Sequence, residues 1–170
     1  MQNKRNGNVI LIGMAGAGKS TLGVLLAKAL GMDFIDTDIL IQRQEGCLLP
    51  ELIERKGIDG FFALEEAVVA GSDLRGCVVA TGGSLVYSER AMAALKAQGT
   101  VIYLSLPFEE IQRRVTNITT RGIVMKRGSS LRDAYEERLP LYQRYSDITV
   151  DCADKDIEAC VSEMVERLRA

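Results

Sequence analysis

The sequence contains no histidine. Histidine is the side chain that ordinarily titrates near neutral pH, so its absence removes the usual base and every histidine-ligated metal site. Proton transfer in this chain falls to a carboxylate or to water. Charge on a bound phosphate must be met by lysine, arginine, backbone N–H groups or a hard cation. No apolar run reaches the roughly 20 residues that a membrane helix needs. Residues 1–7 are polar and mildly basic, without the apolar centre of a signal peptide, so a cytoplasmic protein is expected. The net charge is −2 and no basic run stands out, which argues against nucleic acid as a partner. The four cysteines, Cys47, Cys77, Cys152 and Cys160, form no C-x-x-C pair and read as reduced, structural thiols. Only three prolines occur, and there is no internal repeat or low-complexity stretch.

What remains is a soluble chain of ordinary size. Its 170 residues, 47% hydrophobic and 26% charged, suit one domain with a real core. Short apolar runs alternate with amphipathic ones. Strands are expected over residues 8–13, 32–35, 77–80, 100–106 and 148–152. Helices are expected over 20–30, 38–44, 50–55, 58–70, 88–98, 107–115, 130–144 and 157–169. This alternation predicts an α/β fold with three αβα layers and a five-stranded parallel sheet, in the order 2-3-1-4-5. Ligands of such sheets bind beyond the carboxyl ends of the strands, and each motif below falls at such an end.

Residues 13–20, Gly-Met-Ala-Gly-Ala-Gly-Lys-Ser, fit G-x-x-x-x-G-K-[ST] between a strand and a helix. The glycines let backbone N–H groups turn toward phosphate oxygens, and the helix adds its positive end. Gly13, Ala15, Gly16, Ala17, Gly18, Lys19, Ser20 and Thr21 are the expected nucleotide contacts. Lys19 would reach the β- and γ-phosphates and Ser20 a magnesium ion. A Gly-rich turn that binds nothing is the bland alternative. No N-K-x-D guanine reader is present, so ATP is the expected nucleotide. Asp36 and Asp38, two residues apart after the second strand, can face the same cleft. One could support Mg²⁺ through water, and the other could take a proton from an acceptor hydroxyl. An N-cap role is the alternative and is plausible for Asp38.

These motifs, with FIDTD at 34–38, Phe61 and Glu65 in F-x-x-x-E, TGGS at 81–84, Arg121, and RLPLY at 138–142, resemble the shikimate kinase family from residue 8 to about 169. The resemblance implies a P-loop kinase. In it, Asp38 holds and deprotonates the acceptor hydroxyl, and Asp36 supports magnesium. Gly82 and Gly83 bring backbone N–H groups to the substrate. Arg121 closes over the phosphates from a lid at about 116–130, Arg114 lies near the nucleotide, and Arg138 pairs with the substrate carboxylate. A helical segment at about 38–71 would carry the acceptor side of the single domain.

Three positions depart from the family pattern. Phe62 stands where the family has a second carboxylate-binding arginine. Ser84 replaces a third glycine. The lid reads Arg121-Gly122-Ile123-Val124 in place of R-P-L-L. The donor side is thus intact and the acceptor side altered. The leading expectation is an ATP- and Mg²⁺-dependent monomeric kinase that phosphorylates a hydroxyl of a small carboxylated metabolite, shikimate first. Another hydroxy acid or an amino acid such as homoserine is the alternative acceptor. A nucleotide-binding module without turnover and a nucleoside monophosphate kinase are the further alternatives.

Overall fold

The structure is a computed structural model that describes residues 7–116 and 123–170. Its sheet has five parallel strands in the order β2-β3-β1-β4-β5. The strands are β1 (Asn8–Ile12), β2 (Asp33–Asp36), β3 (Cys77–Ala80), β4 (Gly99–Ser105) and β5 (Ile148–Asp151). The central β1 and β3 are buried at every residue, whereas the edge strands β2 and β5 are partly exposed. That is why VILI of β1 and CVVA of β3 are continuous apolar runs and ITVD is not.

The helices are α1 (Lys19–Leu30), α2 (Thr37–Glu45), α3 (Leu49–Ala70), α4 (Glu89–Gln98), α5 (Phe108–Thr116), α6 (Leu131–Tyr145) and α7 (Ile157–Arg169). From β1 the chain crosses past β3 to β2, so α1 takes one face. Every later crossover runs the other way, and right-handed connections place α3, α4 and α6 on the opposite face. The packing of α1 on α7 and of α3 on α4 agrees with this division. The helices that follow β1 and β3 therefore leave toward opposite faces, and a crevice opens between these strand ends.

The helices expected over 50–55 and 58–70 are the two arms of α3, which breaks between them at Gly57 (φ 71°, ψ 174°). Strand β2 starts one residue later than expected, at Asp33. The Met32 N–H still donates to the Ala27 carbonyl (2.9 Å), closing α1. The shift makes Asp36 the last strand residue. A 3-10 turn at Leu85–Tyr87 was not foreseen. Besides the main core, α2 and α3 bury a smaller cluster of Ile41, Leu52, Phe61 and Val68, with Val124 against it. Among the described residues no helix is long and apolar enough to cross a membrane.

A buried side chain fixes the start of the sheet. The Asn8 amide donates to the Leu74 carbonyl (2.6 Å) and its oxygen accepts from Cys77 N–H (3.1 Å). Substituting Asn8→Leu strands both backbone groups, and urea unfolding should show a loss of roughly 2–4 kcal/mol. A loss under about 0.5 kcal/mol would remove this latch from the account.

Candidate active site

The P-loop joins β1 to α1. Gly16 has φ +85°, and a Cβ there would stand 3.2 Å from the Val115 side chain. Both the turn and the close packing call for glycine. Lys19 Nζ donates to the Gly13 and Met14 carbonyls at 2.7 and 2.8 Å. The Ser20 hydroxyl donates to Asp36 Oδ2 at 2.6 Å. The other Asp36 oxygen accepts the N–H groups of Asp38 (2.9 Å) and Ile39 (3.3 Å). The cap considered for Asp38 is therefore made by Asp36, which sits at the strand–helix junction. Asp38 is left in the first turn of α2 with its carboxylate on the cavity.

That cavity measures about 390 Å³ and lies in the crevice between β1 and β3. Ala15, Gly16, Gly18, Lys19, Ser20 and Asp36 form its phosphate wall. Asp38, Phe61, Gly82, Gly83, Ser84 and Arg138 form the facing wall, with Ile123 and Val124 over them. A second cavity of about 260 Å³ gathers Ala17, Gly18, Thr21 and Arg114. Gly18 borders both cavities. Arg114 Nη1 donates to the Gly16 carbonyl (3.2 Å), and its Nε is paired with Glu110 (2.9 Å). The sequence reading missed the far wall of this second cavity, where the β5–α7 connection supplies Cys152 and Lys155 and α7 supplies Cys160. Burial pushes the Cys152 thiol up to about 12, which suits an inert thiol.

The acceptor wall corrects the reading at Phe62. The cavity is lined by Phe61, one residue earlier. Successive helical side chains point about 100° apart. Phe62 turns instead onto the Tyr87 ring, with centroids 5.5 Å apart. Ser84 does reach the wall, but its hydroxyl donates to Glu65 Oε2 at 2.9 Å. Gly82 earns its place by proximity: a Cβ there would lie 2.7 Å from Glu65 Oε1 and 2.9 Å from Asp38 Oδ1. Its N–H donates to the Thr37 hydroxyl (3.1 Å). Arg138 is 1% exposed. Its Nε donates to the Tyr87 hydroxyl (3.2 Å) and its Nη2 to the Val124 carbonyl. Arg121 lies outside the described residues, as does part of the expected lid at 116–130.

Glu65 was quoted only as part of a spacing, yet it is the most unusual group near the site. It lies on the buried stripe of α3 with Phe61, Val68 and Val69, and an acid on such a stripe was the available signal. Its Oε1 has no hydrogen-bond partner among the described residues. Burial raises its pKa from 4.5 to about 7; the Ser84 hydrogen bond opposes this, nearby Asp38 adds to it, and Arg138 opposes it. The acid is thus about half protonated near pH 7 and largely neutral about a unit below it.

Ser20 and Asp36 also bear on a metal. Among the described residues no group of three acidic, Cys or His side chains could hold an ion unaided. A hydroxyl and a carboxylate already 2.6 Å apart beside the phosphate wall fit Mg²⁺. This ion keeps water and takes few protein ligands when phosphates supply the rest.

Three comparisons bear on this geometry. The family pattern described as shikimate kinase matches residues 15–169. The curated shikimate kinase of Thiobacillus denitrificans is 39% identical over 153 residues, 88% of this chain and 84% of that protein. That of Caldanaerobacter subterraneus is 35% identical over 161 residues, covering 93% and 94%. Among solved structures, the shikimate kinase of Acinetobacter baumannii in complex with shikimate superposes with a TM-score of 0.86 at 29% identity, covering 96% of this chain and 93% of that one. The Aquifex aeolicus enzyme gives 0.80 at 32% identity, covering 95% and 96%.

The buried acid carries a pH signature. Because the folded state raises its pKa, the folded state holds this proton more tightly, and stability falls as pH rises from about 4.5 through 7. Glu65→Gln keeps the shape and an acceptor for Ser84 but cannot ionise. Relative to the parent, its unfolding free energy should gain about 2–3 kcal/mol between pH 5 and pH 8. Parallel stability curves for the two proteins across that range would contradict the assignment.

Proposed function

We propose a function on one premise: the chain belongs to the shikimate kinase family, and it transfers the γ-phosphoryl group of ATP to a hydroxyl of shikimate. The observation that carries this is the joining of Lys19, Asp38 and Arg138 on one cavity. The three supply, in order, a cation for the phosphates, a carboxylate for the reacting hydroxyl and a guanidinium for the acceptor's carboxylate.

In this reading the phosphates lie along residues 15–20, where backbone N–H groups and the positive end of α1 meet their charge. The base end of the nucleotide takes the second cavity, beside Thr21 and Arg114. Arg138 receives the shikimate carboxylate and so sets the ring's orientation. Asp38 accepts a hydrogen bond from the hydroxyl to be phosphorylated, which aligns its oxygen with the γ-phosphorus. As the new O–P bond forms, the bond from γ-phosphorus to the bridging oxygen breaks. ADP leaves, and the hydroxyl proton passes to Asp38. Lys19 gives up the Gly13 and Met14 carbonyls to meet the β- and γ-phosphates. Its charge then stabilises the transferring group in the partly desolvated cleft. Ser20 and Asp36 would hold Mg²⁺, which neutralises phosphate charge when bound. Arg121 would bring a second cation over the phosphates from the lid. The same reading makes the protein a cytoplasmic monomer whose partners are small molecules and not nucleic acid.

Among the described residues Arg138 is the one guanidinium on the acceptor cavity. Phe62 occupies the place of the family's second. This motivates testing the acceptor directly. A coupled assay of ADP release should show turnover with shikimate well above that with homoserine, gluconate, serine or threonine. Preference for one of the others would move the acceptor. Tight ATP binding with no acceleration by any of them would identify a nucleotide-binding module instead. Within the active enzyme, Asp38→Asn should lower kcat about 10²- to 10⁴-fold with little change in melting temperature. A loss under about fivefold would leave water, not Asp38, as the proton acceptor.

A further inference from the structure

Tyr87 belongs to none of the motifs. It closes the 3-10 turn that follows the glycine pair, and it touches Arg138 in two ways. Its hydroxyl accepts from Arg138 Nε at 3.2 Å, and the guanidinium carbon stands 5.2 Å from the ring centroid. The ring is itself confined. Phe62 packs on it at 5.5 Å and a tilt of 48°, and Lys126 Nζ sits 4.9 Å from its centroid. The Lys126 ammonium is paired with Glu137 at 2.5 Å, and Glu137 lies beside the Tyr87 hydroxyl.

The consequence is geometric. A guanidinium offers a carboxylate either its side edge, Nε with one Nη, or its end, the two Nη groups. In Arg138 the side edge is engaged: Nε is held by Tyr87 and Nη2 by the Val124 carbonyl. Nη1 points at the glycine pair, 3.4 Å from where a Cβ on Gly83 would stand. An incoming anion therefore meets the end of the guanidinium and not its side. A long side chain with several rotatable bonds keeps that aspect when its polar atoms are held, and beside the Val124 carbonyl and the Tyr142 hydroxyl it is Tyr87 that fixes Nε. The Phe62 ring backs the group that does so.

We propose that Tyr87 is the positioning residue of the acceptor site, holding Arg138 so that the end of its guanidinium faces the acceptor's carboxylate. The proposal rests on the reading that Arg138 receives that carboxylate, and it places an aromatic pair, Phe62 and Tyr87, behind the arginine of the acceptor wall. It also accounts for a carboxylate site with one arginine, since a fixed cation loses less freedom on binding than a mobile one.

The test compares Tyr87→Phe with Arg138→Lys. Tyr87→Phe keeps the ring, the stack on Phe62 and the face toward Arg138, and removes only the hydroxyl. Its KM for shikimate should rise about three- to tenfold, while kcat, the KM for ATP and the melting temperature stay within about twofold or 2 °C of the parent. Arg138→Lys, which keeps the charge but loses the fork, should raise the same KM more, by about 10-fold or above. If Arg138→Lys raises the KM and Tyr87→Phe does not, Tyr87 has no positioning role and the reading of Arg138 stands. If neither changes it, the carboxylate is held elsewhere and both fall. A drop in kcat or a rise in the ATP KM that matches the shikimate effect would reduce Tyr87 to general packing and overturn the proposal.

Discussion

One carboxylate ties the donor side together. Asp36 ends β2, caps α2 with one oxygen and takes the Ser20 hydroxyl of α1 with the other. Three elements that meet at the crevice are thereby locked to a single planar group. The two capped N–H groups fix where α2 begins, and that fixes Asp38 two residues on, at the cavity. An alanine there would leave two helix-terminal N–H groups unmet and release the P-loop serine. The acceptor side depends on the same junction, because Thr37, the residue between the two acids, receives the Gly82 N–H.

Across the cavity the charges are arranged differently. Arg138 is buried, and it is held by neutral oxygens, the Tyr87 and Tyr142 hydroxyls and the Val124 carbonyl. Glu137 and Glu65 both act on it, and burial lifts Glu65 to about 7. A buried cation without full compensation attracts an anion. The Ser84 hydroxyl donates to one oxygen of Glu65 and leaves the other without a partner among the described residues. The two departures act at different places: Ser84 bonds Glu65 on the cavity wall, and Phe62 packs on Tyr87 behind it.

Much of the fold was legible because its signals are local. Five buried or half-buried apolar runs, each followed by a helical pattern, define a parallel sheet, and right-handed crossovers leave few ways to order it. The P-loop is legible for a similar reason: its chemistry is backbone chemistry, so glycine positions and one lysine suffice. Asp36, Asp38, Gly82, Gly83 and Arg138 could be placed at the site because each follows a strand end or belongs to a recognisable string.

The sequence by itself determined the donor half: a cradle whose hydrogen-bond donors come from consecutive residues needs no distant partner to be recognised. Only the tertiary structure decided the acceptor half. Which of Phe61 and Phe62 meets the cavity depends on the rotation of α3. Whether Ser84 faces substrate or Glu65 depends on how that helix packs against the glycine turn. Tyr87 and Arg138 are 51 residues apart in sequence, and nothing in either local pattern signals that they touch. Contacts of that kind are set by how helices seat on the sheet, and local sequence does not encode the seating.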